Sequence, residues 1–72
     1  MAYTQADLAM ANRHVEEGGA RVAFLVDSIA RDEDLGRNTR VAQQVLETMV
    51  VTLRLMREHR AEIEEDVVRA GR

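Results

Sequence analysis

From Leu8 onward an apolar or small residue returns at every third or fourth position without a break: Leu8, Ala11, Val15, Gly18, Val22, Leu25 and Ile29. Alternating steps of three and four keep side chains on one stripe of an α-helix, and a stripe this narrow is the seam of a coiled coil. Upstream, Thr4 followed three residues later by Asp7 has the spacing of a capping box, with Asp in the place usual for Glu, and predicts the helix start. The segment Asp32-Glu33-Asp34-Leu35-Gly36-Arg37-Asn38-Thr39 interrupts the pattern. Gly36 suits the left-handed position just past a helix end, and Asn38 or Thr39 suits the cap of a new helix. The series then resumes as Ala42, Leu46, Met49, Leu53, Met56, Arg60, Ile63 and Val67. These signals predict one all-α domain, residues 1–72: a helix over about 4–35, a turn over about 36–39, and a helix over about 40–69.

Folding the chain back at the turn pairs residues whose numbers sum to a constant, and a constant of 71 satisfies both series at once. The layers become Leu8 with Ile63, Ala11 with Arg60, Val15 with Met56, Gly18 with Leu53, Val22 with Met49, Leu25 with Leu46 and Ile29 with Ala42. Small residues stand opposite large ones three times, at Ala11 against the Arg60 stem, Gly18 against Leu53 and Ala42 against Ile29, so the seam interdigitates. The expected fold is a two-helix antiparallel coiled-coil hairpin.

A hairpin covers only its seam, yet Tyr3, Met10, Ala23, Phe24 and Val26 on the first helix and Val45, Val50, Val51 and Leu55 on the second lie outside it. In the register above, 22–26 is level with 45–49, so these two segments together with Val50 and Val51 form an apolar belt around one end of the hairpin. Contiguous exposed apolar surface marks association. The expectation is a homodimer with the two hairpins packed as a four-helix bundle, using Phe24, Val26, Val50, Val51 and Leu55 as the interface. A larger protein offering a helix or a groove is the other candidate partner.

Composition narrows the classes. A chain of 72 residues without Cys has no disulfides to supplement a small core, which strengthens the case for association. The lack of Cys fits a reducing compartment. No basic n-region or apolar h-region opens the chain, and the longest apolar run, 22–26, is far short of a membrane span, so a cytoplasmic protein is expected. A net charge of −3 with scattered basic residues, all of them Arg, offers nucleic acid no positive field.

Two histidines carry the only candidate chemistry. His14 with Glu17 and His59 with Glu62 share a His-x-x-Glu spacing, and the register brings the two histidines to one flank of the seam. Di-metal helical bundles use carboxylates and imidazoles in this way, but in the order Glu-x-x-His and with further inward-facing acids that this seam lacks. His59 as a phosphoacceptor is the related alternative. A solvated His beside the seam is the ordinary outcome, and no cofactor is expected. Neither a nucleophile with its base nor a Gly-rich phosphate loop is present, so no enzyme is expected. Gly18 and Gly19 fall in mid-helix, where Gly18 is accounted for by close approach to Leu53 and Gly19 is not.

The stretches Arg13-His14-Val15-Glu16-Glu17-Gly18, Gly36 with Thr39, and Thr52-Leu53-Arg54-Leu55-Met56-Arg57-Glu58-His59-Arg60 resemble a group of short uncharacterised bacterial helical-hairpin proteins. The likeness covers most of the chain. It implies a bacterial source and a helical hairpin, and it transfers no activity and no site. Ala23, Phe24, Leu25 and Val26 depart from it, standing where the group has polar residues. The sequence as a whole reads as a non-enzymatic helical interaction module. A metal-binding or phosphotransfer bundle built on His14 and His59 is the alternative.

Overall fold

The computed structural model describes residues 2–71 and contains two helices, α1 over Gln5–Asp34 and α2 over Arg40–Ala70, folded into an antiparallel hairpin. Its Cα extents are 56 × 15 × 12 Å, so the molecule is a rod two helices wide.

Local chemistry sets the helix ends. The Asp7 backbone N–H donates to the Thr4 hydroxyl oxygen at 3.2 Å while the Thr4 N–H donates to the Asp7 carboxylate at 2.8 Å, a reciprocal capping box. Asp7 also places negative charge at the positive end of the helix dipole. At the far end Gly36 adopts φ 73°, a left-handed conformation that costs a residue with a Cβ. The Gly36 N–H then reaches the Glu33 carbonyl at 3.0 Å and the Arg37 N–H reaches the Asp32 carbonyl at 2.9 Å. That pair of bonds is a Schellman motif. An Arg37–Asp32 ion pair at 3.2 Å stands where such motifs usually carry an apolar contact.

Asn38 and Thr39 divide the start of α2 between them. The Asn38 side-chain oxygen accepts from the Arg40 N–H at 3.0 Å, satisfying a free donor of the first turn. Thr39 makes no capping bond with its side chain and is buried instead. Its hydroxyl donates to Glu33 at 3.2 Å and accepts from the Gln43 amide at 2.9 Å, while that amide also donates to Glu33 at 3.0 Å. These three side chains tie the beginning of α2 to the end of α1.

All seven seam positions of α1 and all eight of α2 are shielded from solvent, fully or in part. Ile29, Leu53, Ile63 and Val67 are buried, each worth about 1.5–3 kcal/mol of apolar transfer. Gly18 faces Leu53, the partner a sum of 71 requires: a Cβ on Gly18 would lie 3.1 Å from a Leu53 methyl and 3.6 Å from the Met56 methyl. The helices approach closely because this glycine has no side chain. Nothing lies within 4 Å of the Cβ position of Gly19, and α1 continues through both glycines. Arg60, in the seam, keeps a buried Nε with no hydrogen-bond partner in the described protein.

Candidate interaction surface

The core is thin and the apolar surface is broad. Among the described residues four apolar side chains are buried, whereas Tyr3, Met10, Phe24, Val26, Leu35, Val41, Val45, Val50, Val51, Leu55 and Val68 are exposed, with Phe24 at 70% and Val41 at 71%. The position of each relative to the seam decides whether they form one surface. Successive residues turn by 100° around a helix, so Phe24 and Val26 point about 160° apart and leave α1 on opposite sides of the seam. On α2, Val50 and Leu55 diverge by about 140° for the same reason.

One broad face of the hairpin therefore carries Phe24 and Leu55. Phe24 lines a shallow groove between the helices together with Ala20, Arg21, Leu25, Val45 and Met49, which places Val45 on the same side. A neighbouring groove holds Arg21, Thr48 and Thr52 beside the seam residues Gly18, Met49, Leu53 and Met56. On α2 the residues Val41, Val45, Thr48, Thr52 and Leu55 thus form a second three-and-four stripe beside the seam. The matching stripe on α1 is Met10, His14, Glu17, Arg21, Phe24, Ser28, Arg31 and Leu35.

The opposite broad face carries Val26 and Val50. Its α1 side is small, with Gly19, Ala23 and Ala30, and its α2 side is charged, with Arg40, Glu47, Arg54 and Arg57. Val51 lies on the outer surface of α2. The five residues expected to act together are accordingly distributed around the hairpin, with Phe24 and Leu55 on one face and Val26 and Val50 on the other. Val41, absent from the sequence-based set, belongs to the Phe24 face. Its signal was spacing, since it stands two heptads before Leu55 in the same stripe.

The histidines have other surroundings. The His59 ring meets the edge of Tyr3 at a centroid distance of 5.8 Å and an interplanar angle of 84°. Its Nδ1 lies 3.8 Å from the Glu62 carboxylate, on side chains that are both largely exposed. The Tyr3 N–H donates to Asp66 at 2.6 Å, which fastens the residues before α1 to the outer end of α2. His14 and Glu17 are exposed on α1. Among the described residues no group of three or more His, Cys, Asp or Glu is placed to hold a metal ion. A further concavity along α2 is lined by Ala61, Glu64, Glu65, Val68 and Arg69, and there Arg69 pairs with Glu65 at 2.9 Å.

Among the described residues no helix is long and apolar enough to cross a membrane. No protein-family model, no curated protein and no solved structure matches the chain, so what stands of the resemblance to short hairpin proteins is the small two-helix architecture itself.

Proposed function

We propose that the protein is a non-enzymatic, self-associating helical module, two copies of which join by helix-on-helix contact into a four-helix bundle. The observation that carries this reading is surface area. A compact monomer of 8.1 kDa exposes about 4,500 Å². The hairpin exposes 5714 Å², roughly 1,200 Å² more than that scaling. The exposed surface includes Phe24, Val41, Val45 and Leu55, and a second copy is the simplest structure that covers one such apolar face symmetrically. The absence of Cys supports a reducing, cytoplasmic setting.

The test is molar mass by light scattering and sedimentation at micromolar concentration, with helicity followed in parallel. The expected result is twice 8.1 kDa and a melting temperature that rises with concentration. A helical species that stays at 8.1 kDa and melts independently of concentration would overturn self-association.

A further inference from the structure

Resting on that reading, we infer that the second copy docks on the Phe24 face in antiparallel orientation, with the two turns at opposite ends and a two-fold axis passing between Phe24 and Thr48. Three observations converge on this arrangement. First, a two-fold axis perpendicular to the helices sets each helix against its own copy, so residues must pair symmetrically about one position. On α1 the outward stripe reads Glu17, Phe24, Arg31 at seven-residue steps. Centred on Phe24, the apolar ring meets its own copy and each Glu17 faces Arg31 of the second copy, whose guanidinium also pairs with Asp27 of its own helix at 3.0 Å. On α2 the stripe reads Val41, Thr48, Leu55. Centred on Thr48, each Val41 faces Leu55 of the second copy and Thr48 meets its own copy. One helix thus supplies charge complementarity and the other apolar complementarity, each about its own central residue.

Second, the two centres are level. Phe24 and Thr48 sum to 72, one away from the register constant of 71 that the contact of Gly18 with Leu53 sets, so a single axis serves both helices. The register itself brings this about, because it sets every outward position of the α1 stripe level with one of the α2 stripe, 17 with 55 and 31 with 41 as well as 24 with 48. The parallel arrangement, with both turns at one end, sets α1 against α2 of the second copy and fails on the same residues. It places Met10 near Glu62, Glu17 near Leu55 and Arg31 near Val41.

Third, the area suffices. From Phe24 to Gly36 is twelve residues, so overlap on both sides of the axis runs about 36 Å. Over a hairpin 15 Å wide that footprint is about 1,100 Å² for both copies before side-chain corrugation, which is below the standard range of about 1,200–2,000 Å² and just clears the roughly 1,000 Å² that a specific interface needs. On α2 within this overlap the other face sets Arg40, Glu47, Arg54 and Arg57 around Val50 while the Phe24 face presents Val41, Val45, Thr48, Thr52 and Leu55; on α1 the Phe24 face carries Glu17, Arg21 and Arg31, and the Val26 face is small. The outer ends, carrying Tyr3 and Asp66, project beyond the overlap, and His59, eleven residues from Thr48, lies at its edge.

The chain has no Cys, so a single introduced thiol reports its own environment. Thr48→Cys, at an exposed position facing its own copy across helices about 8–10 Å apart, should oxidise to a covalent dimer in high yield. Val50→Cys, at almost the same level on the other face, should give background cross-linking only. Glu17→Arg and Arg31→Glu should each weaken association about three- to tenfold, and the double variant should return it to within about threefold of the parent. Within one helix the two residues are about 21 Å apart, so mutual rescue requires two copies. A dimeric parent in which Val50→Cys cross-links in preference, or in which neither thiol cross-links, or in which the double variant stays weak, overturns the docking geometry and leaves self-association standing. A monomeric parent overturns both.

Discussion

Phe24→Ala separates a surface side chain from an interface side chain. The ring is 70% exposed in the single hairpin, so truncation removes little from the packing of α1 on α2. Its effect on an isolated copy should fall within about 0.5 kcal/mol, with Ala slightly favoured in a helix. In the proposed dimer the ring would be covered. Complete burial of a Phe is worth about 1.5–3 kcal/mol, and with roughly two-thirds of its surface still open about 1–2 kcal/mol per copy remains to be gained. Two rings meet at one interface, so the loss is about 2–4 kcal/mol and the dissociation constant should rise about 30- to 1,000-fold. Immobilising the ring at the interface offsets part of the gain, which favours the lower half of that range. Sedimentation equilibrium over several decades of concentration reads the constant directly, and circular dichroism at the highest concentration checks that helicity is kept. A dissociation constant within threefold of the parent would refute the reasoning. So would a melting temperature lowered by the same amount at every concentration, because that result would make Phe24 a core residue of the hairpin.

The remaining predictions concern the hairpin itself. Gly36→Ala should destabilise by about 1–2 kcal/mol, since the Schellman turn holds this residue at φ 73°; an unchanged urea midpoint would show that the turn re-forms another way. Gly19→Ala should raise stability by about 0.5–1 kcal/mol, because its Cβ would meet nothing within 4 Å; a loss of association on this change would instead place the second copy on the Val26 face. Arg60→Met should stabilise by about 1 kcal/mol by replacing a buried, unbonded Nε with an apolar group in the seam, and a lowered melting temperature would show that the guanidinium holds the seam together.

Much of this architecture is local and was legible in the chain. The three-and-four series needs only the turn angle of a helix to identify the shielded side, and every residue of both series is shielded. The Thr4 and Asp7 box and the left-handed Gly36 lie within a few residues of the groups they satisfy, so their geometry is written in short-range spacing. Even the pairing of Gly18 with Leu53 follows from demanding one register for two series. Tertiary structure decided the choices that depend on what lies across the hairpin. Asn38 caps α2 because Glu33 and Gln43, ten residues apart, draw the Thr39 hydroxyl inward. His59 stands against Tyr3 because the segment before α1 is pulled onto Asp66. Above all, the belt of exposed apolar residues divides into two faces. A sequence places Phe24 and Val26 two residues apart and Val45 and Val50 five apart. The turn of each helix separates Phe24 from Val26 and Val45 from Val50, and only the packed pair of helices decides which of those sides stand together, setting the Phe24 side of one beside the Val45 side of the other.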